Sequence, residues 1–392
     1  MITRILLAIV ALTVVASSAS AMPRFAARTG ADCRLCHVNP SGGGMRSRYG
    51  SSVFQRLALP LTIGDEAGDD ELPSFSPQIT EWLSLGADLR AAYLYSAPDV
   101  LDDPTSSFFL MQADLYTAAK LSSHVSVVLD IGVYSGFEAW VLVQAASKPS
   151  PYDLYLKVGR FMPTFGLRDP NHDLFTRQGI GLGSSDRDTG LELTFVAGPA
   201  TLSVALVNGT FGDDALDGHG SDHRSFEKAL VSRAAVGFGA GALHIQTGGS
   251  FYLSDNGTDA NPLFRPALDA AIDVAEGVDE LRAGAFLLAG LGPISYVGEA
   301  VYVRNRFTSG GDAVGGYASA QELAVQVIQG VEVMATFELS DPDLTLAGDA
   351  TTRAGLAAEV FLGPFFEVRV MGRRAFGPAA ATDFLLFAHA AF

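Results

Sequence analysis

Leu83-Ser84-Leu85-Gly86-Ala87-Asp88-Leu89-Arg90-Ala91-Ala92-Tyr93-Leu94-Tyr95 changes side-chain character at almost every step. Leu83, Leu85, Ala87, Leu89, Ala91, Tyr93 and Tyr95 share one face, while Ser84, Gly86, Asp88, Arg90 and Ala92 share the other, which is the two-residue period of a β-strand. The pattern recurs downstream. Phe109, Met111, Ala113, Leu115, Thr117 and Ala119 are read as one face against Gln112, Asp114, Tyr116 and Lys120. Val125, Val127, Leu129, Ile131 and Val133 then oppose Ser126, Asp130 and Tyr134. Each segment has the ~10-residue length of a transmembrane barrel strand.

Composition agrees with a barrel in lipid. Charged residues make up 18% of the 392 and hydrophobic ones 48%, with 42 Gly and a mean hydropathy of +0.25. A water-soluble domain carries about 25% charged residues. Beyond residue 21 no apolar run approaches the ~18 residues of a membrane helix. The net charge of −17 and the lack of a basic stripe argue against a nucleic-acid partner.

Turn signals alternate between short and long, as periplasmic turns and external loops do in such barrels. Short turns are read near Ser122-Ser123-His124, Ser147 to Ser150, Gly198-Pro199, Gly239 to Gly241, Gly290 to Pro293, Gln329-Gly330 and Gly363-Pro364. Longer segments fall near 96–106, 135–137, 162–187, 209–227, 255–278, 306–317, 341–350 and 374–381. The fold class expected is all-β, a transmembrane antiparallel β-barrel of about sixteen strands over residues 80–392. Phe384, Leu386, Ala388, Ala390 and Phe392 alternate to the last residue, resembling the terminal-Phe signal of bacterial outer-membrane proteins.

The N-terminal part is different. Residues 1–21 read as a secretory signal: Arg4, an apolar run from Ile5 to Val15, and a small-residue cleavage site at Ala19-Ser20-Ala21. Cys33-Arg34-Leu35-Cys36-His37 follows and holds the only two cysteines of the chain. C-x-x-C-H lets two thiols add to one haem while the adjacent imidazole meets the iron. A zinc site needs four ligands, and no second Cys or His pair follows nearby. The expected cofactor is one covalent haem c, on a small mainly helical segment over 22–60, with Arg46 to Leu59 as a short helix bearing Tyr49, Val53, Phe54 and Leu57 on one side. A linker over 61–79, rich in Pro, Gly and acids, joins it to the barrel. So short a segment rarely folds alone, so it is expected to shelter at the periplasmic mouth or in the lumen as a plug, the rival being a haem head swinging on its linker in the periplasm.

The signal, then Pro23 to Gly30 leading into Cys33–His37, then a barrel of some three hundred residues, resembles the fused monohaem cytochrome-porins of bacterial outer membranes. Their best-known members oxidise extracellular ferrous iron. The resemblance implies haem on Cys33 and Cys36, with His37 as proximal iron ligand. Val38 to Met45 is not a stretch typical of the iron-oxidising branch, so the substrate stays open. Val158-Gly159-Arg160-Phe161-Met162-Pro163-Thr164-Phe165-Gly166-Leu167-Arg168 is similar to a strand-to-loop segment of outer-membrane porins.

For the far side of the iron the sequence offers Met45, eight residues past His37 and beyond the Pro40–Gly44 bend; His124, His244 and His389 are alternatives, and an open position is another. His172 with Asp169 and Asp173, and the acids and histidines from Asp213 to His223, read as loop clusters able to attract cations. Asp88, Lys157, Glu192, Glu359 and Arg369 fall on the polar phase and are expected to pair across strands. No Ser/His/Asp set or phosphate loop stands out, so turnover of an organic substrate lacks support. Two functions remain: electron transfer between an extracellular donor or acceptor and a periplasmic cytochrome, or solute diffusion through a porin with a haem sensor or docking module. A homotrimer in outer-membrane lipid is the assembly expected by analogy with sixteen-strand porins.

Overall fold

The computed structural model describes residues 23–61, 76–99, 103–133, 136–148, 150–169, 171, 173–178, 180, 186–209, 228–256, 278–307 and 313–392. The signal read over 1–21 and most of the linker lie outside the described residues.

Sixteen strands are described. They are β1 (Leu83–Pro98), β2 (Thr105–Lys120), β3 (Val125–Gly132), β4 (Gly136–Gln144), β5 (Tyr152–Phe161), β6 (Asp188–Ala197), β7 (Ala200–Val207) and β8 (Ala229–Ala240). The second half comprises β9 (Leu243–Asn256), β10 (Val278–Leu291), β11 (Ile294–Phe307), β12 (Val314–Ile328), β13 (Val331–Asp341), β14 (Thr351–Gly363), β15 (Phe366–Phe376) and β16 (Ala381–Ala391). Each pairs antiparallel with its chain neighbours, and β1 closes on β16. Closure leaves no strand edge unpaired, which a hydrocarbon environment requires. The seven short turns and eight longer connections fall where the punctuation places them.

The outer face is apolar. Leu191, Leu193 and Phe195 on β6, with Leu202, Val204 and Leu206 on β7, are all exposed, as lipid contact demands. The inner face carries charge in cross-strand pairs. Lys157 sits opposite Glu192 at 2.7 Å, Arg353 opposite Glu338 at 2.8 Å, and Arg369 opposite Glu359 at 2.9 Å.

The phase of β2 departs from the simple alternation. The β1–β2 register shifts between Arg90 and Ala91, whose partners are Gln112 and Leu110, so Met111 is the extra residue of a bulge. Phe108 and Leu110 therefore join Ala113 and Leu115 on the lipid side, and Met111 lines a luminal cavity. Phe109 pairs with the buried Ala92 and takes the luminal phase too. Both were assigned to the lipid face by strict alternation; one inserted residue reverses them.

Residues 23–61 lie inside the barrel at its short-turn end. The helix Pro23–Thr29 packs against β9, β10 and β11. A Cβ at Gly290 would lie 1.9 Å from the Ala27 carbonyl oxygen, so only glycine admits the helix there. Gln55 Nε2 donates to Ala391 O at 2.6 Å, and Leu61 N–H donates to Phe361 O at 2.8 Å. The expected helix over 46–59 is shorter: a π-helical turn Gly50–Phe54 runs into α-helix Gln55–Ala58. Its buried residues are Gly50, Ser51 and Gln55, whereas Tyr49, Val53 and Leu57 are exposed. The cause is Gly50, which lies so close to Cys36 that a Cβ would sit 2.3 Å from the Cys36 oxygen. Only Phe54 of the expected apolar side turns inward, against Phe25.

In the connection read as a long external loop over 162–187, whose acidic cluster also suits an inward-folded constriction, described residues fold into the lumen as well. Gly166 N–H donates to Ser250 Oγ at 2.8 Å, Leu167 N–H to Glu299 at 3.1 Å and Phe175 N–H to Glu338 at 3.0 Å. Arg177 pairs with Glu299 at 2.6 Å. Its polar residues are matched to luminal charges rather than to water.

Candidate functional site

The helix Cys33–Cys36 is capped by Asp32, whose Oδ1 accepts the Arg34 N–H at 2.9 Å. Arg34 Nε binds the same carboxylate at 2.9 Å, and its Nη1 reaches Ser150 O at 3.1 Å, which ties the motif to the short turn after β4. His37 then leaves the helix in extended backbone and forms a β-bridge with Arg46. Val38 N–H donates to Met45 O at 3.0 Å, completing a small two-stranded ribbon. Its tip turns through Gly42, Gly43 and Gly44, all with φ between 62° and 86°. Three successive left-handed residues require glycine.

His37 lines an interior cavity that opens to solvent. The wall is part apolar, with Met45, Tyr116, Val128 and Trp140 prominent, and part charged. Burial pushes the His37 imidazole down to about 4, with Arg46 adding to the shift, so at neutral pH it is the uncharged form that binds metals. Its Nδ1 is shut off from solvent without a hydrogen bond of standard geometry, although Gly44 and Gly43 backbone groups lie near. Burial also raises the Cys36 thiol to about 12. Neither cysteine lines the cavity: Cys36 is buried, and Cys33 Sγ stands 3.2 Å from where a Gly42 Cβ would be.

The candidates for the far side of an iron separate clearly. Met45 and His389 line the cavity with His37. Met45 belongs to the same ribbon as His37, one residue from its bridge partner, and neighbouring strand residues point to opposite faces. His389 is held between Glu367, 2.7 Å from Nδ1, and Asp88, 3.0 Å from Nε2. His124 is exposed in its turn with Nδ1 3.0 Å from Gln144 O, and His244 packs against Gly30. Neither of these two lines the cavity.

Of the loop clusters, Asp173 is taken by Arg353 at 3.3 Å and by Arg373, and the Asp169 carboxylate accepts the Asn171 N–H at 2.8 Å. His172 and the Asp213–His223 cluster lie outside the described residues.

Four functional side chains carry no motif signal. Arg24, 4% exposed, places Nε 2.9 Å from Glu332, Nη1 3.6 Å from Glu322 and Nη2 on Glu359. Arg28 also binds Glu332. Arg46 and Arg168 line the His37 cavity. The helical spacing of Arg24 and Arg28, set against acids on the polar phase of β12 to β14, is the signal that marks the first two.

No protein-family model and no curated protein sequence matches the chain. Solved structures do match in shape. A loop-deleted OmpT from Vibrio cholerae superposes with a TM-score of 0.53 at 14% identity, covering 79% of this chain and 99% of its own. An anion-selective porin from Comamonas acidovorans gives 0.54 at 11% identity over 79% and 99%. OprB from Pseudomonas putida gives 0.54 at 12% identity over 79% and 94%. Identities this low establish the fold, a porin-like sixteen-strand barrel.

Proposed function

We propose that this chain is an outer-membrane electron-transfer protein whose barrel carries one covalent haem c at its periplasmic mouth. The observation that supports the reading is the placement of Cys33-Arg34-Leu35-Cys36-His37: it is lodged inside the barrel, with His37 on the wall of an interior cavity. Cys33 and Cys36 hold the group through thioethers once both side chains rotate toward the cavity, a rotamer change. His37 presents a neutral imidazole to the iron. When bound, the haem supplies one-electron redox chemistry. Tyr116, Val128 and Trp140 supply the apolar part of that wall.

We further infer that Met45 packs rather than ligates. Met45 packs in the apolar cluster that includes Tyr116, Val128 and Trp140, which supports a packing role beside a haem held by Cys33, Cys36 and His37. The partners are a periplasmic electron carrier at the short-turn end and an extracellular donor or acceptor at the other. The Vibrio cholerae OmpT was obtained in a trimer form, and a homotrimer is the assembly proposed here.

Solute diffusion is the second reading, favoured by the likeness to porins. One preparation distinguishes them. Purified mature protein is expected to be coloured, to stain for haem after denaturation, to lose the stain in a Cys33→Ala/Cys36→Ala double variant, and to pass little current in planar bilayers. The Met45→Ala variant is expected to keep its low-spin or high-spin character. Colourless protein that conducts as an open pore overturns the electron-transfer reading in favour of diffusion.

A further inference from the structure

Two guanidinium groups beside His37 have no carboxylate of their own. Arg46 and Arg168 both line the cavity, and neither has a carboxylate within ion-pair distance among the described residues. Arg168 donates from Nη2 to the Met162 carbonyl, while its Nε is out of solvent with no hydrogen-bond partner. Its Cδ and Nη1 lie 3.5 Å from the Cβ position of Gly43, on the ribbon that also carries Arg46 and His37.

The neighbouring acids are already committed. Glu138 receives Arg187 at 3.2 Å and the Trp140 indole at 3.1 Å, and Glu192 receives Lys157 at 2.7 Å. Asp88 is shared by Arg90 at 3.1 Å and His389 at 3.0 Å. Other luminal arginines, Arg24, Arg177 and Arg353 among them, are each matched to a carboxylate. Arg46 and Arg168 are half-buried, and a cation drawn partly out of water without an anion is costly unless a ligand completes it.

We propose that Arg46 and Arg168 form a binding pair for two carboxylates in the His37 cavity. Arginine's planar fork suits carboxylates because two parallel N–H groups meet two oxygens. Resting on the haem reading above, the two carboxylates are the propionates, which leave one edge of a porphyrin together; without a haem, the same pair takes a free dicarboxylate passing through the lumen.

The test uses full-length protein carrying Arg46→Gln, Arg168→Gln or both, with Arg168→Lys as the charge-retaining control and exposed Arg48→Gln as a remote one. Heat-modifiable gel mobility confirms that each barrel is folded. In haem-loaded protein each glutamine variant is expected to retain its full haem stain, since the cysteines hold the ring. Each removes a positive charge that favours the ferrous state, moving the ferric-to-ferrous ratio about tenfold, which is about 59 mV downward for one electron. The lysine and Arg48 variants stay near the parent. Potentials unchanged in both glutamine variants overturn the pair and leave the haem reading intact. If the protein is isolated without haem, that reading fails and titration calorimetry with succinate decides: binding lost in the double variant supports the pair, and absence of binding in the parent overturns it.

Discussion

Replacing Arg24 by alanine strips the cation from the most acidic part of the lumen wall. Glu332 on β13 and Glu359 on β14 are directly opposed in register, a like-charge pair that is unfavourable on its own. Both are buried, at 1% and 0% exposure. Arg24 bridges them, with Glu322 3.6 Å away. Removing one partner from a buried ion network costs about 3–5 kcal/mol. Arg28 still reaches Glu332 and Arg369 still reaches Glu359 at 2.9 Å, which places the expected loss at the lower end, about 3 kcal/mol. At about 1.4 kcal/mol per decade, the ratio of docked to undocked plug falls roughly 100-fold.

Single-channel recording in planar bilayers reads this directly: the parent stays closed, and the open fraction of Arg24→Ala rises by about two decades. An Arg24→Ala channel that stays as closed as the parent, with residues 23–61 equally protected from protease, refutes the idea that this contact holds the plug.

Three further outcomes follow from the geometry. Leu115→Arg, on the lipid phase, is expected to lower unfolding stability in vesicles by up to about 2–4 kcal/mol, whereas Met111→Gln on the luminal side of the bulge changes it by less than about 0.5 kcal/mol; equal losses would remove the bulge. Glu299→Gln weakens two anchors of the inward loop, Arg177 and the Leu167 N–H, and about 1.5–3 kcal/mol per charged hydrogen bond predicts faster proteolysis within 162–187. The hydrogen bond from Arg374 holds the exposed Asp99 carboxyl below its ordinary value. A depressed folded-state value makes this contact stabilising above the unfolded carboxyl range and lost as pH falls through the lowered one. Carbon NMR of the carboxyl should show it, and Arg374→Gln should return the titration to the ordinary range.

The barrel is legible because its signal is repeated: every hairpin writes apolar and polar residues on alternate faces, and glycine and proline mark each reversal. What escapes is local. Phe108, Phe109, Leu110 and Met111 are all apolar, so nothing in the letters tells which of them the bulge displaces. The inward loop is polar, and polarity alone does not separate water from a charged lumen; only its partners Glu299, Glu338 and Arg353 do so. Cys33, Cys36 and His37 carry a spacing motif. Arg24, Arg46 and Arg168 carry none, because their role comes from which carboxylates the fold brings near them and which it withholds.

Residues 23–61 lie within the closed barrel, and both they and the end of β16 sit at the short-turn end. A closed cylinder of this kind offers no side door for threading a structured peptide afterwards. On the haem reading proposed above, Cys33 and Cys36 would receive their cargo in the periplasm before the N-terminal segment is enclosed and the β1–β16 seam closes.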